Sequence, residues 1–333
     1  MSSQPSWFVF RGVFEARKVT IPEPPPWRRF PDRKAPAKDY PVEPAVLRAP
    51  FRIQDSELVA INTALQLRRP LLVTGKPGAG KSTLAHAIAF ELSLGRPLVW
   101  PINTRSTLQE GLYRYDAVGR LQEANLRSSK STRPPIGQFL RLGPLGTALA
   151  PRRQPRVLLI DEIDKSDIDF PNDLLHVLET AEFEIPELSR SSKAAHPKVR
   201  VHDGGHEIVT DQGWVRAAEF PVVVMTSNGE RDFPPAFLRR CVRVELPTPK
   251  PIELSAIVLG HLEKVLEGLD KVEKEKFTGR VAELAEDFFR RAQQSDLATD
   301  QLMNAAFLAQ ANIELSDELK TILFRSLAGG PSS

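Results

Sequence analysis

The chain has 333 residues, 41% hydrophobic and 26% charged, with 45 Lys and Arg against 42 Asp and Glu, a net charge of +3. That length suggests about two domains, the near-balanced charge makes nucleic acid an unlikely partner on composition alone, and no apolar run approaches the roughly 20 residues of a membrane span. The single cysteine, Cys241, excludes an internal disulfide and fits a reducing compartment.

The opening Met-Ser-Ser-Gln-Pro-Ser-Trp has no basic stretch followed by an apolar core, so no signal peptide is expected and a cytoplasmic location is. Residues 1–50 hold 10 of the 29 prolines and carry nine basic against five acidic residues. Such a stretch cannot sustain long helices or central strands and is expected to be an extended arm. Trp7, Phe8, Phe10, Phe14, Trp27 and Phe30 are too many aromatics for a purely solvated linker. The arm is therefore expected to lie in a groove of its own subunit, a neighbour or a partner.

Residues 51–249 read as an α/β domain. Apolar strand candidates are Leu71–Val73, Leu98–Pro101, Val157–Ile160, Val222–Met225 and Arg243–Leu246. Helical stretches separate them, which predicts a parallel sheet with right-handed crossovers. The first strand runs into Gly75-Lys76-Pro77-Gly78-Ala79-Gly80-Lys81-Ser82, followed by Thr83 and a helical segment. Strand, G-x-x-x-x-G-K-S loop and helix is the context of a phosphate-binding loop. Its glycines let backbone N–H groups curl around phosphates, and the helix N-terminus adds positive potential. Lys81 can reach β- and γ-phosphates, and Ser82 can offer its hydroxyl to Mg²⁺. A nucleoside triphosphate with Mg²⁺ is the expected ligand.

"LLIDEID" is a buried strand ending in Asp161 and Glu162. Carboxylates there sit at the carboxyl edge of a parallel sheet, where ligands bind. Asp161 can orient Mg²⁺ through its water shell, and Glu162 can polarise an attacking water. The strand "VVVMTSN" ends in Asn228, whose amide can position that water or contact the γ-phosphate. Arg239 and Arg240 end a short helix before the last strand. They can cap that helix or reach the γ-phosphate of a neighbouring subunit.

Between these strands, "YRYDAVGRL" and "IGQFLRLGPLG" are expected to be the two sides of a hairpin. Arg127–Arg133 reads as a solvated basic loop, or as a pore-facing loop in a ring. "KVRVHDGGHEIV" fits a second hairpin turning at Asp203-Gly204-Gly205. His202 and His206 flank that turn, and two histidines without a nearby cysteine favour hairpin surface over a metal clip. Cys241 reads as a small buried apolar residue. Residues 250–333 change character: from Ile252 to Leu327 proline is absent and apolar residues recur at helical spacing, for example Leu262, Val265 and Leu269, then Val281, Leu284, Ala285, Phe288 and Phe289. A bundle of about four helices is expected.

The order of phosphate loop, Asp-Glu strand, Asn strand, Arg-Arg and helical segment resembles the AAA+ ATPases over about residues 51–330. More narrowly, "RRPLLVTGKPGAGKS", "EGLYRYDAVGRL", "LGPLGTAL", "LLIDEIDKSD", "LLHVLETAEFEI" and "VVVMTSNGERDFPPAFLRRCVRVELP" resemble the MoxR-like branch, which has a dynein-related type of ATPase domain. The resemblance implies a P-loop NTPase sheet with a C-terminal helical lid. It implies a ring-forming, usually hexameric ATPase that remodels protein partners, many of them bearing a von Willebrand factor A domain. By the same carry-over Lys81 and Ser82 are Walker A, Asp161 and Glu162 Walker B, Asn228 sensor 1, and Arg240 the arginine finger with Arg239 as alternative. Residues 107–148 match the insertion that this branch carries before Walker B. One departure is "SDLATDQLMNAAFLAQ", where Ala298-Thr299-Asp300 supplies no basic sensor 2 residue. Two other readings stay open: a regulatory nucleotide switch with little turnover, and a McrB-like nucleic-acid-remodelling NTPase.

Overall fold

The computed structural model describes residues 4–13, 15–47, 53–126, 134–190, 196–295, 297–311 and 313–325. The basic stretch Arg127–Arg133, Phe14 and the 50/51 boundary lie outside them.

In chain order the elements are α1 Asp55–Leu67, β1 Leu71–Thr74, α2 Lys81–Glu91, β2 Leu98–Pro101, α3 Leu108–Leu112, β3 Tyr113–Tyr115, α4 Ala117–Leu126, β4 Leu140–Leu142, α5 Pro144–Ala148, β5 Val157–Asp161 and α6 Phe170–Thr180. There follow β6 Glu182–Glu184, α7 Pro186–Ser189, β7 Lys198–Arg200, β8 Glu207–Val209, β9 Trp214–Arg216, β10 Val222–Ser227, α8 Pro235–Leu238, β11 Val242–Glu245, and then α9 Pro251–His261, α10 Glu263–Leu266, α11 Lys271–Ala292, α12 Thr299–Gln310 and α13 Asp317–Leu323.

Five parallel strands form the central sheet in the order β11-β1-β10-β5-β2. Side-chain alternation divides them between two cores. Leu72, Leu98, Trp100, Leu158, Ile160, Val223 and Met225 enter one. Leu71, Val73, Val157, Leu159, Val224 and Val244 enter the other, beneath α1 and α2. A third core, built from Leu254, Val258, Phe277, Val281 and Leu302 among others, belongs to the C-terminal helices. These are five segments, α9 to α13, rather than the expected four. Their starts are capped from the sequence: Asp270 accepts from Glu273 N–H at 2.8 Å, Glu273 returns the bond at 3.0 Å, and Pro251 opens α9.

Two insertions build a separate four-stranded sheet, β3-β4-β7-β8. The expected hairpins are both present, as β3 with β4 and β7 with β8. The first is shorter than its sequence suggested. Only Tyr113–Tyr115 of "YRYDAVGRL" is strand, because Asp116 accepts from Gly119 N–H at 2.8 Å and starts α4 instead. The pairing of β4 with β7 joins the two insertions, and a sequence reading of each hairpin separately had no access to it. A short β6–β9 pair was likewise unforeseen.

The proline-rich arm is extended apart from one 3₁₀ turn, Pro26–Arg28, and lies on its own chain. Phe8, Val9 and Phe10 are buried against α1 and α2. Fully buried Asn62 on α1 accepts from Val9 and Phe10 N–H at 2.7 and 2.9 Å and donates to the Phe10 carbonyl at 2.8 Å. Fully buried Glu91 accepts from the N–H groups of Arg11 and Val13 and pairs with Arg17. Further along, Arg28 donates to the Leu178 carbonyl at 3.1 Å, Arg33 to those of Thr180 and Ala181, and Asp39 accepts from Arg153 and Gln154 N–H. Trp27 stays exposed, so it has no part in this docking. Among the described residues no helix is long and apolar enough to cross a membrane.

Replacing Asn62 by Leu leaves two buried N–H groups without an acceptor, at about 1–3 kcal/mol each. Asn62→Leu is expected to lose about 3 kcal/mol of stability and to expose the arm to limited proteolysis. Urea denaturation and mass mapping of the first cleavage check this; an arm cut no faster than in the parent chain contradicts it.

Candidate functional site

β1 carries Gly75 past the carboxyl edge of the sheet. There Gly75 lies at φ +146°, and a Cβ would stand 2.6 Å from the Leu246 carbonyl oxygen. The loop then curls so that Lys81 Nζ donates to the carbonyls of Gly75 and Lys76 at 2.7 and 2.9 Å. Burial holds the Lys81 ammonium below the usual lysine value, while Asp164, Asp161 and Glu162 oppose that shift. Ala79 is buried under the loop, and Pro77, Gly78, Gly80 and Thr83 line its open side.

Asp161, at the end of β5, meets the loop and the neighbouring strand together. Its Oδ1 accepts from Ser82 Oγ at 2.7 Å and from Thr226 Oγ1 at 2.6 Å. The next residue, Glu162, sits in left-handed backbone at φ +59°. That conformation costs a non-glycine residue about 1 kcal/mol, and here Glu162 N–H donates to Thr226 Oγ1 at 2.8 Å. The turn aims the Glu162 carboxylate toward β10, where Asn228 Nδ2 stands 3.5 Å from Oε1. Oε2 accepts from Lys165 Nζ at 2.8 Å, and this bond raises the Lys165 ammonium above the usual lysine value.

The structure thus brings Lys81, Ser82, Asp161, Glu162 and Asn228 to one cleft of about 440 Å³. Its far wall comes from the C-terminal helices, through Ile257, His261, Ala298, Thr299, Asp300 and Met303. Thr299, the first residue of α12, donates from Oγ1 to the Gly78 carbonyl at 2.9 Å. Ala298-Thr299-Asp300, which carries no basic residue, thus meets the glycine loop through this hydrogen bond.

Arg239 and Arg240 are not in this cleft. They precede Val242, which is in register with Leu71, so they occupy the sheet edge opposite the glycine loop. Arg240 pairs with Glu179 at the end of α6 and donates to the Ala236 carbonyl at 3.1 Å; Arg239 is exposed. Cys241, beside them, is buried, and burial pushes its thiol pKa up to about 12. His202 and His206 lie on the second hairpin, with His206 stacked on Tyr40 at 5.7 Å.

Three site residues were not singled out from sequence. Thr226 bridges Asp161 and Glu162. Asp164 is 5% exposed and accepts through Oδ2 from Asn228 and Glu230 N–H at 2.9 and 3.1 Å, while its Oδ1 has no partner. Lys165 neutralises Glu162. A polar Thr directly after the apolar run "VVVM" was the one available signal.

A hydroxyl and a carboxylate 2.7 Å apart, both hard oxygen donors, suit Mg²⁺, which takes one or two protein oxygens and completes its shell with water and phosphate. Among the described residues no group of three or more His, Cys, Asp or Glu could hold a metal unaided. The donor set therefore fits an ion that arrives with a nucleotide, held by Ser82 and Asp161.

A parallel sheet with a glycine loop between its first strand and helix, under a helical cap, defines a P-loop ATPase domain. The family signature described as AAA domain (dynein-related subfamily) matches residues 70–241, and the chain belongs to that family. Among solved structures it is similar to the FIGL-1 AAA domain in complex with ADP, at 15% identity and TM-score 0.36, covering 77% of this chain and 65% of that one. It is also similar to NtrX from Brucella abortus in complex with ADP, at 16% identity and TM-score 0.37, covering 79% of this chain and 51% of that one. The chain spans less than two thirds of the length of either structure. No curated protein matches the sequence.

A Cβ at Gly78, where φ is +77°, would stand 2.4 Å from Thr299 Oγ1 and 2.5 Å from its nitrogen. Gly78→Ala is expected to push α12 off the loop and weaken ATP binding about tenfold, roughly 1.4 kcal/mol. Titration with a fluorescent ATP analogue checks this, and unchanged affinity contradicts the lid contact.

Proposed function

We propose that the chain is a MoxR-like AAA+ ATPase that hydrolyses ATP between subunits of a ring and uses the turnover to remodel or activate a protein partner. The observation that carries this reading is the meeting of Lys81, Ser82, Asp161, Glu162 and Asn228 in one cleft that the lid closes from the other side.

In this reading ATP lies along the glycine loop, its phosphates at the N-terminus of α2. Lys81 exchanges its two loop carbonyls for β- and γ-phosphate oxygens. Bound with the nucleotide at Ser82 and Asp161, Mg²⁺ would neutralise phosphate charge. Glu162 orients a water and accepts its proton as the water oxygen bonds to the γ-phosphorus; the bond to the β–γ bridging oxygen breaks, and ADP keeps that electron pair. Glu162 must first shed Lys165. Asn228 holds the carboxylate or the water in line. Arg240, on the opposite edge of the sheet, leaves Glu179 to reach the γ-phosphate held by the next subunit.

A slow, switch-like turnover has support of its own in the Glu162–Lys165 ion pair and in the start of α12, which carries Asp300 and no basic residue. The two readings differ in the effect of Lys165→Ala, which raises turnover only if Lys165 restrains Glu162.

Glu162→Gln is expected to retain ATP binding, to lower phosphate release at least a hundredfold, about 2.7 kcal/mol in barrier, and to hold an oligomer together. Phosphate release and sizing chromatography check it, and turnover equal to the parent chain overturns the mechanism. Mixing inactive Lys81→Ala with inactive Arg240→Ala subunits should restore part of the activity, because hybrid interfaces contain one intact half from each. Absence of rescue in assembled mixtures contradicts the trans role of Arg240.

A further inference from the structure

The sheet built by the two insertions has one apolar and one charged face. Tyr113, Leu140, Leu142, Val199 and Ile208 point into the core. On the opposite face Arg114 is in register with Arg141, and Arg141 with Arg200, so three arginines stand side by side on adjacent strands. All three are exposed, and Lys198 lies on the same face of β7. Strands lie about 4.8 Å apart, so the row is about 10 Å long.

Like charges placed directly opposite one another destabilise a sheet. Here little offsets them. Arg141 donates to the carbonyls of Val201 and His202 at 3.4 and 2.5 Å. The side chains of Arg114 and Arg200 form no hydrogen bond or ion pair with any described residue, although Glu207 is in register with Arg200 on β8. The field is felt nearby: burial first, then Arg141, hold the His202 imidazole below its usual pKa; Asp203 opposes them, and Arg114 adds a smaller push in the same direction as Arg141. The arginines border a groove of about 570 Å³ whose floor at Gly204 and Gly205 has no side chain to obstruct close approach.

We propose that this groove docks a short acidic segment of a protein partner, with Arg114, Arg141 and Arg200 receiving its carboxylates. The proposal rests on the reading of the chain as an ATPase that acts on a protein. Guanidinium groups match carboxylates with two parallel hydrogen bonds. At its β8 end the row meets Glu207, in register with Arg200, and Asp116 lies two residues beyond Arg114, directly after β3. A nucleic acid strand continuing past the row would meet Glu207 across the strands or Asp116 past the end of β3, whereas two or three clustered side-chain carboxylates fit the row itself.

The test uses the full chain and fluorescence anisotropy with three labelled probes: a twelve-residue peptide of alternating Glu and Ser, its Gln-Ser counterpart, and a twelve-nucleotide oligo-dT. The Glu-Ser peptide is expected to bind in a salt-sensitive way and the Gln-Ser peptide not to. Arg114→Gln/Arg200→Gln should weaken peptide binding at least tenfold, and Arg200→Glu alone should also weaken it. Lys271→Gln/Lys276→Gln on the distant helix α11 should leave it unchanged. The double arginine variant should melt no lower than the parent chain, since it removes unpaired like charges. No binding of the Glu-Ser peptide, equal binding by the arginine variants, a lowered melting point, or tighter arginine-dependent binding of oligo-dT overturns the proposal. A chain that binds the acidic peptide but shows no phosphate release would sink the hydrolysis reading and leave the docking groove standing.

Discussion

One oxygen of Asp161 accepts hydrogen bonds from Ser82 and Thr226 at 2.7 and 2.6 Å, and through it three strands of the sheet share one point. Ser82 lies in the first turn of α2, directly after the glycine loop that follows β1, Asp161 ends β5, and Thr226 lies on β10 between β1 and β5. Hydrogen bonds to an ionised carboxylate are worth about 1.5–3 kcal/mol each. They fix the glycine loop against the strand that carries Glu162. Thr226 then takes the Glu162 N–H, which steadies the left-handed turn aiming that carboxylate at Asn228. The same Ser82 and Asp161 oxygens are those expected to hold Mg²⁺.

The second constraint is distance across the sheet. Register puts Arg239 and Arg240 at the start of β11, at the edge away from the glycine loop. A cleft on one edge and arginines on the other cannot complete each other within one chain, but they can between two. The cis partner of Arg240, Glu179, stands at the C-terminal end of α6, where the arm's Arg28 also docks on the Leu178 carbonyl. The arm thus touches both the body beneath α1 and α2 and the surface beside Glu179 and Arg240.

Much of this was legible in the sequence because it follows local rules. Five apolar runs became the five parallel strands within a residue or two, and G-K-P-G-A-G-K-S fixed the loop. Asp161, Glu162 and Asn228 could be placed because a charged or amide side chain directly after a buried apolar run emerges at the sheet edge. What was not legible depended on contacts distant in sequence. Thr226 looks like any strand-end threonine until β10 is set beside β5. The arm's aromatics signalled docking, yet its seat depends on Asn62 and Glu91, two buried polar residues on α1 and α2 that nothing in the sequence singled out. The arginine row is the clearest case. Arg114, Arg141 and Arg200 are scattered over 87 positions in the chain and become neighbours only when β4 pairs with β7. The absence of a basic residue at Ala298-Thr299-Asp300 was visible, but the Thr299–Gly78 bond made from that segment was not.

The account stands or falls on the coupling through Asp161. Its most direct test is a double-mutant cycle on ATP affinity with Ser82→Ala and Thr226→Val, measured by calorimetry in the presence of Mg²⁺. If both hydroxyls act through one carboxylate oxygen, the double variant loses at least fivefold less affinity than the product of the single losses, a coupling of about 1 kcal/mol. Losses that multiply, with additivity within about 0.3–0.5 kcal/mol, would mean that the two strands contribute independently and that Asp161 is not the junction of the site.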